Sequence, residues 1–232
     1  MTKSIPAYII RLKENEHSCK MAKDCFDQAI VHGLSPVYFD AINGNDAKFH
    51  YEKTGIKLKR KMKKGRLGVL GCFFSHYYLW LKCARTNTPF VVLEHDGYML
   101  KPLPENILDT FEDVLKLDRC NPYNSSYDKV LEEESTLNLS IEKYTNLQNK
   151  NPVKIGTGNY FKGAYAYIIK PAGARKILKH IRQNGHVTAD QQIGDWVVDT
   201  RTTVPSLARL HPFYAIGNNI RSESLTRNLK EN

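Results

Sequence analysis

The chain has 232 residues, 41% of them hydrophobic and 25% charged, with 13 Tyr, 9 Phe and 2 Trp. That is enough apolar material for a sizeable core, which excludes global disorder and fits a single domain of residues 1–232. The net charge is +10 and the mean hydropathy −0.47, and no run approaches the roughly 18 consecutive apolar residues of a membrane span.

The first six residues contain no apolar core of a signal peptide, which predicts a soluble, cytoplasmic protein. The run Ala7-Tyr8-Ile9-Ile10, leading into Arg11-Leu12, is short and rich in strand formers and predicts the first strand. A helix is expected over about 14–32, with Met21, Cys25, Ala29 and Ile30 on one face and Gly33 as its stop. Residues 36–40 read as a strand that ends in the turn Asn43-Gly44-Asn45-Asp46. Between Glu52 and Arg66 stand eight Lys or Arg against one acid, a local charge of 8 − 1 = +7. Such a run suits nucleic acid, an anionic membrane surface, a phosphorylated substrate or simply a solvated loop.

Residues 71–85 predict an apolar helix in which Cys72 and Cys83 act as small buried hydrophobes. The five cysteines are an odd number without a CxxC pair, which fits a reducing compartment and suggests neither a disulfide framework nor a structural zinc. Residues 89–93 form a continuous apolar strand of the kind buried on both faces of a parallel sheet. This alternation of strands and helices predicts an α/β fold. Residues 121–151 are polar and read as a surface insertion, with a strand at 127–131. A strand at 163–169 leads into a helix from Pro171 to Gly185, followed by a shorter helix over about 190–198 and a polar tail.

The sequence Leu93-Glu94-His95-Asp96 ends the apolar strand. Ligands of parallel sheets collect at the carboxyl ends of strands. Continued strand alternation would turn Glu94 and Asp96 to one side, where two carboxylates can share a hard cation, and His95 to the other. A cap for the next element is the structural alternative.

Three blocks resemble glycosyltransferase family 25, the LOS/LPS and collagen galactosyltransferase-like enzymes. They are Gly71-Cys72-Phe73-Phe74-Ser75-His76 with Trp80, the strand end Leu93-Glu94-His95-Asp96, and Gly163-Ala164-Tyr165-Ala166-Tyr167-Ile168 with Gly173-Ala174. The turn Asp40-Ala41-Ile42-Asn43-Gly44 also matches the family's pattern. His95 replaces the middle acid of the family triplet, Val69 stands where a Glu is usual, and Glu14-Asn15-Glu16-His17 replaces an Arg cluster.

The resemblance implies a GT-A fold, a Rossmann-like, mostly parallel sheet with helices on both faces. Its nucleotide-binding half would span about 5–100 and its acceptor side about 101–225. It further implies a UDP-sugar donor, galactose or glucose, a bound Mn²⁺ or Mg²⁺, and transfer with inversion to a hydroxyl of a glycan, lipooligosaccharide or protein acceptor. Asp96 and Glu94 are then the metal ligands, with His211, Ser222 or Glu223 as a third. Asp190 is the catalytic base, with Asp195 as its alternative. Tyr8, Ile9, Ile10 and Asp40 would contact the nucleoside, Ser75 and His76 would lie beside it, and Asn159, Tyr160 and Lys162 would line the sugar or acceptor pocket. The basic run Lys57 to Arg66 would meet an anionic acceptor or membrane surface. A catalytically degenerate sugar-binding relative and, less well supported, a nucleic-acid-binding protein are the competing readings.

Overall fold

A computed structural model describes residues 4–57, 67–119, 127–145, 160, 161 and 163–212. The first unit is β1 (Pro6–Arg11), α1 (Glu16–Val31) and β2 (Ser35–Asp40), with β1 and β2 parallel. Asn15 caps α1 by accepting the N–H of Ser18 at 2.8 Å, so the helix begins at Glu16. The short α2 (Ala47–Thr54) and the long apolar α3 (Leu67–Thr86) then lead to β3 (Phe90–Glu94), which lies parallel to β1. After β4 (Gly97–Met99) come β5 (Val114–Lys116), α4 (Tyr127–Glu134), β6 (Ser140–Lys143) and β7 (Ala166–Ile169). The described chain closes with α5 (Pro171–Asn184), α6 (Ala189–Gln192), β8 (Thr200–Val204) and β9 (Ala208–Leu210).

The main sheet has the order β2-β1-β3-β7-β5-β8-β6. Strands β1, β2, β3, β5 and β8 run one way, and β6 and β7 run against them. The architecture is therefore the α/β fold with a mostly parallel sheet that the sequence predicts. Alternate residues of each strand feed separate cores. Ala7, Ile9, Val91, Leu93 and Ile168 pack on Met21, Ala22, Cys25 and Ala29 of α1. Ile10, Val92, Val114, Tyr167 and Ile169 pack on Phe73, Phe74 and Trp80 of α3 and on Ala174, Ile177 and Ile181 of α5. Burial of this kind is the dominant favourable term in folding, and truncating a fully enclosed side chain such as Trp80 to Ala should cost about 3–5 kcal/mol.

Two expected elements are corrected. Residues 127–131 are helical, because the burial of Tyr127 and Glu134 and the partial burial of Val130 and Leu131 follow a helical period, and Lys129 pairs with Glu133 at 3.7 Å one turn on. Further along the same segment, β6 pairs with β8 at the sheet edge. The helix expected over 190–198 is a single turn, ended where Gly194 bridges to Tyr160. The basic run beyond Lys57 lies outside the described residues. Among those described, no helix is long and apolar enough to cross a membrane.

Candidate active site

A cleft of about 80 Å³ opens at the carboxyl ends of β1 and β3. Its walls are Ile10 and Leu12 at the end of β1, Ala41, Ile42 and Gly44 after β2, Gly71, Cys72, Ser75 and His76 of α3, and Glu94 and His95 at the end of β3. Two glycines allow these walls to meet. A Cβ on Gly44 would lie 1.9 Å from the Leu67 carbonyl oxygen, and one on Gly71 would lie 2.4 Å from the Ile42 carbonyl oxygen. Ser75 fastens the same contact, accepting the N–H of Ile42 at 2.9 Å and donating to the Gly71 carbonyl at 2.8 Å.

Behind the cleft a buried chain of hydrogen bonds fixes Glu94. Trp80 Nε1–H donates to the Tyr167 hydroxyl at 3.0 Å, and that hydroxyl meets His76 Nδ1 at 2.8 Å. His76 Nε2 meets Glu94 Oε1 at 3.0 Å. Because the indole is only a donor, the simplest arrangement has Tyr167 donating to Nδ1 and His76 donating from Nε2–H to the carboxylate. Trp80, Tyr167 and His76 are all fully enclosed. The Cys72 thiol points at the same Glu94 oxygen at 3.8 Å.

β3 ends at Glu94, and His95 and Asp96 form a turn into β4. Strand alternation therefore does not reach Asp96, and His95 lines the cleft beside Glu94 instead of pointing away from it. The carboxylates are nonetheless close enough to act on each other. Burial first, then the Glu94 charge, raises the Asp96 carboxyl from 3.8 to about 6, against the opposing influence of His95. Burial also pushes Glu94 upward, but the His76 hydrogen bond and the electrostatic pull of His76 and His95 outweigh it and hold Glu94 below its ordinary value. Asp96 Oδ1 is enclosed and has no hydrogen-bond partner. Burial raises the Cys72 thiol well above its ordinary value, and the charges of Glu94, Asp190 and Asp96 add to that rise.

Asp190 comes from α6 and is held on Oδ1 by the Gln191 N–H at 2.9 Å and by the Thr188 hydroxyl. Asp195 sits in the turn after α6. His211 approaches Asp96 through its backbone, its N–H donating to the Asp96 carbonyl at 2.7 Å. Its ring lies instead 3.7 Å from Asp24 and edge-on to Tyr98. Of the first-strand residues only Ile10 lines the cleft: Ile9 is enclosed in the core on the α1 face, and Tyr8 packs against Phe90. Asp40 pairs with Arg11 at 3.2 Å and Lys13 at 3.8 Å. Tyr160 lies beside Trp196. Asn159, Lys162, Ser222 and Glu223 lie outside the described residues. Cys72 and Tyr167 were not among the expected site residues. An apolar helix gives no sign that one cysteine faces a cleft, and Tyr167 reads as an ordinary strand aromatic.

The family model for glycosyltransferase family 25 (LPS biosynthesis protein) matches residues 4–193, a span that contains the cleft, Glu94, Asp96 and Asp190. The chain belongs to glycosyltransferase family 25. A glycosyltransferase 25 family member from Aedes aegypti is 24% identical over 199 residues, covering 80% of this chain and 30% of the relative. The chain thus spans less than a third of that relative's length. Among solved structures, mouse xyloside xylosyltransferase 1 in its apo form is similar at 8% identity and a TM-score of 0.36, over 82% of this chain and 79% of that one.

Proposed function

We propose that this family 25 chain transfers a hexosyl group, galactose or glucose, from a UDP-sugar to a hydroxyl of a saccharide, lipooligosaccharide or protein acceptor, with inversion. The observation that carries the reading is Glu94 on the wall of a cleft at the carboxyl ends of β1 and β3, with an enclosed, unpartnered carboxylate oxygen of Asp96 two residues on.

The residues present suit a hard divalent cation, Mn²⁺ or Mg²⁺. Asp96 offers an enclosed oxygen with no partner, and Glu94 offers a carboxylate kept ionised by His76. Asp96 and Glu94 would hold the cation, which when bound supplies positive charge to the diphosphate leaving group. Ile10, Ala41 and Ile42 give the donor an apolar wall. The sugar becomes oxocarbenium-like as its bond to the diphosphate lengthens, and the acceptor hydroxyl attacks from the opposite face. Asp190 takes the hydroxyl proton, with one of its oxygens already held by Thr188 and Gln191 so that the carboxylate keeps its orientation.

Thermal melting with UDP and Mn²⁺ tests the donor site without knowledge of the acceptor. Both together, at about 100 times the dissociation constant, should add roughly 2.7 kcal/mol. The shift should vanish in Asp96→Ala and persist in Asp190→Asn, which should lose sugar transfer while still binding donor. No shift with any combination would overturn the reading and leave a sugar-binding relative without transferase activity.

A further inference from the structure

The residue set nearest Glu94 differs from the oxygen set that a hard cation prefers. Cys72 Sγ, a His76 ring nitrogen and a Glu94 carboxylate oxygen all lie within 4.8 Å of one another. We propose that Cys72, His76 and Glu94 form a site for a thiophilic divalent cation, Zn²⁺ or Cd²⁺, on the wall of the cleft.

Four observations carry this. Cys72 and His76 stand four residues apart on α3, so one helix face presents both, and Glu94 meets them from the end of β3. The spacing suits a tetrahedral ion: with bonds of about 2.0–2.3 Å, neighbouring ligand atoms lie about 3.3–3.6 Å apart. Here the nitrogen and oxygen are 3.0 Å apart, the sulfur and oxygen 3.8 Å, and the sulfur and nitrogen within 4.8 Å, so a swing of the Cys72 side chain by up to about one ångström seats the ion. All three residues line the cleft, which gives an ion a path in and leaves a fourth position for water. Finally, the outer support is already built. A cation on His76 Nε2 requires the ring proton on Nδ1, and there the Tyr167 hydroxyl, itself held by Trp80, can accept it. A mixed sulfur, nitrogen and oxygen set selects Zn²⁺ or Cd²⁺ over Mn²⁺ or Mg²⁺.

The site has a consequence that rests on the function proposed above. Glu94 belongs to both sets, so a thiophilic ion withdraws it from the donor cation and blocks transfer. The hard-cation chemistry proposed above would then be open to inhibition by trace zinc in a way that depends on Cys72.

Cadmium titration of the reduced, chelator-treated protein tests the site directly, because a cadmium–thiolate bond gives an ultraviolet charge-transfer band. One equivalent should develop the band, Cys72→Ser should abolish it, and Cys19→Ser should retain it. Tyr167→Phe, which keeps the thiol, should weaken binding by about 10–100-fold. Melting of each variant without metal separates loss of the site from loss of the fold. A band that survives Cys72→Ser, or no band in a folded parent protein, overturns the site. Cadmium binding in a protein that shows no UDP and Mn²⁺ shift would leave the site standing and remove the transferase reading. Binding that leaves transferase activity untouched would overturn the competition for Glu94.

Discussion

His186 and Asp96 are each pushed away from the charged form by burial, with opposite effects on stability. His186 is enclosed, stacked on Phe73 at 3.7 Å, with Nε2 2.6 Å from the Tyr51 hydroxyl and Nδ1 2.8 Å from the Val187 carbonyl. Burial lowers it from 6.5 to about 4, against the weaker opposing pull of the Val187 carbonyl. Its contribution is therefore complete above pH 6.5 and is lost as pH falls towards 4, about 3 kcal/mol in all. Asp96 is raised from 3.8 to about 6, so its contribution is complete below 3.8 and is lost as pH rises through 6, again about 3 kcal/mol at most. In the metal-free protein these slopes oppose each other between pH 4 and 6 and should nearly cancel. Chemical denaturation across pH 4–8 should show this. His186→Phe should leave stability falling with rising pH, and Asp96→Asn should leave it rising and make the protein more stable at pH 7. If both variants follow the parent's pH profile, these two groups do not govern it. The strain at Asp96 is what a cation would relieve, so its carboxylate favours ligand at the expense of apo-protein stability.

At the scale of elements, the joint between the loop after β2 and the first half of α3 shapes the cleft, and it tolerates no side chain at Gly44 or Gly71. Gly71→Ala must displace backbone at Ile42 and Gly44 and should cost about 1–3 kcal/mol. The added methyl sits in the cleft wall, so UDP affinity should fall as well, and calorimetry on the folded variant separates the two losses. The relay on the same helix gives a second test. Tyr167→Phe strands the Trp80 N–H and removes the partner of His76 Nδ1, which should lower the denaturant midpoint by about 1–3 kcal/mol with an unchanged slope. An effect within 0.5 kcal/mol, the range of an ordinary surface substitution, would deny the relay a structural role. Much of this region was legible in the sequence. The apolar runs at β3 and α3 are continuous, the short run at β1 is rich in strand formers, and the Gly-Cys-x-x-Ser-His spacing marks a helix against the sheet. The contact between Gly44 and Leu67 was not legible, because nothing local says which backbone a glycine admits. The helix at 127–134 was misread because five residues, including Tyr127 and Val130, suit a strand as well as a helix until Glu134 shows the burial period.

The whole molecule ties its site together across the sequence, which is why the second half was less legible. β7 enters antiparallel between β3 and β5, and β8 then lies beside β5, so neighbours in the sheet are distant in the chain. The short strands β4 and β9 pair antiparallel and bring Leu210 opposite Gly97, next to Asp96. One buried hydroxyl joins these parts. Tyr127 of α4 donates to Asp118 Oδ2 at 2.9 Å and accepts the N–H of Leu210 at 2.9 Å. The following residue, His211, holds the Asp96 carbonyl. Tyr127→Phe leaves the Leu210 N–H unsatisfied in a buried setting and removes a donor from the Asp118 carboxylate. It should therefore destabilise the protein by about 1–3 kcal/mol. The change should also loosen the Asp96 turn and weaken the UDP and Mn²⁺ melting shift, although Tyr127 lies in the polar middle segment and not in the cleft. A variant that loses stability yet keeps the parent's full ligand-induced shift would show that the Asp96 turn is held without help from α4. A variant that loses both in proportion would show that the middle segment carries the C-terminal strand to the site.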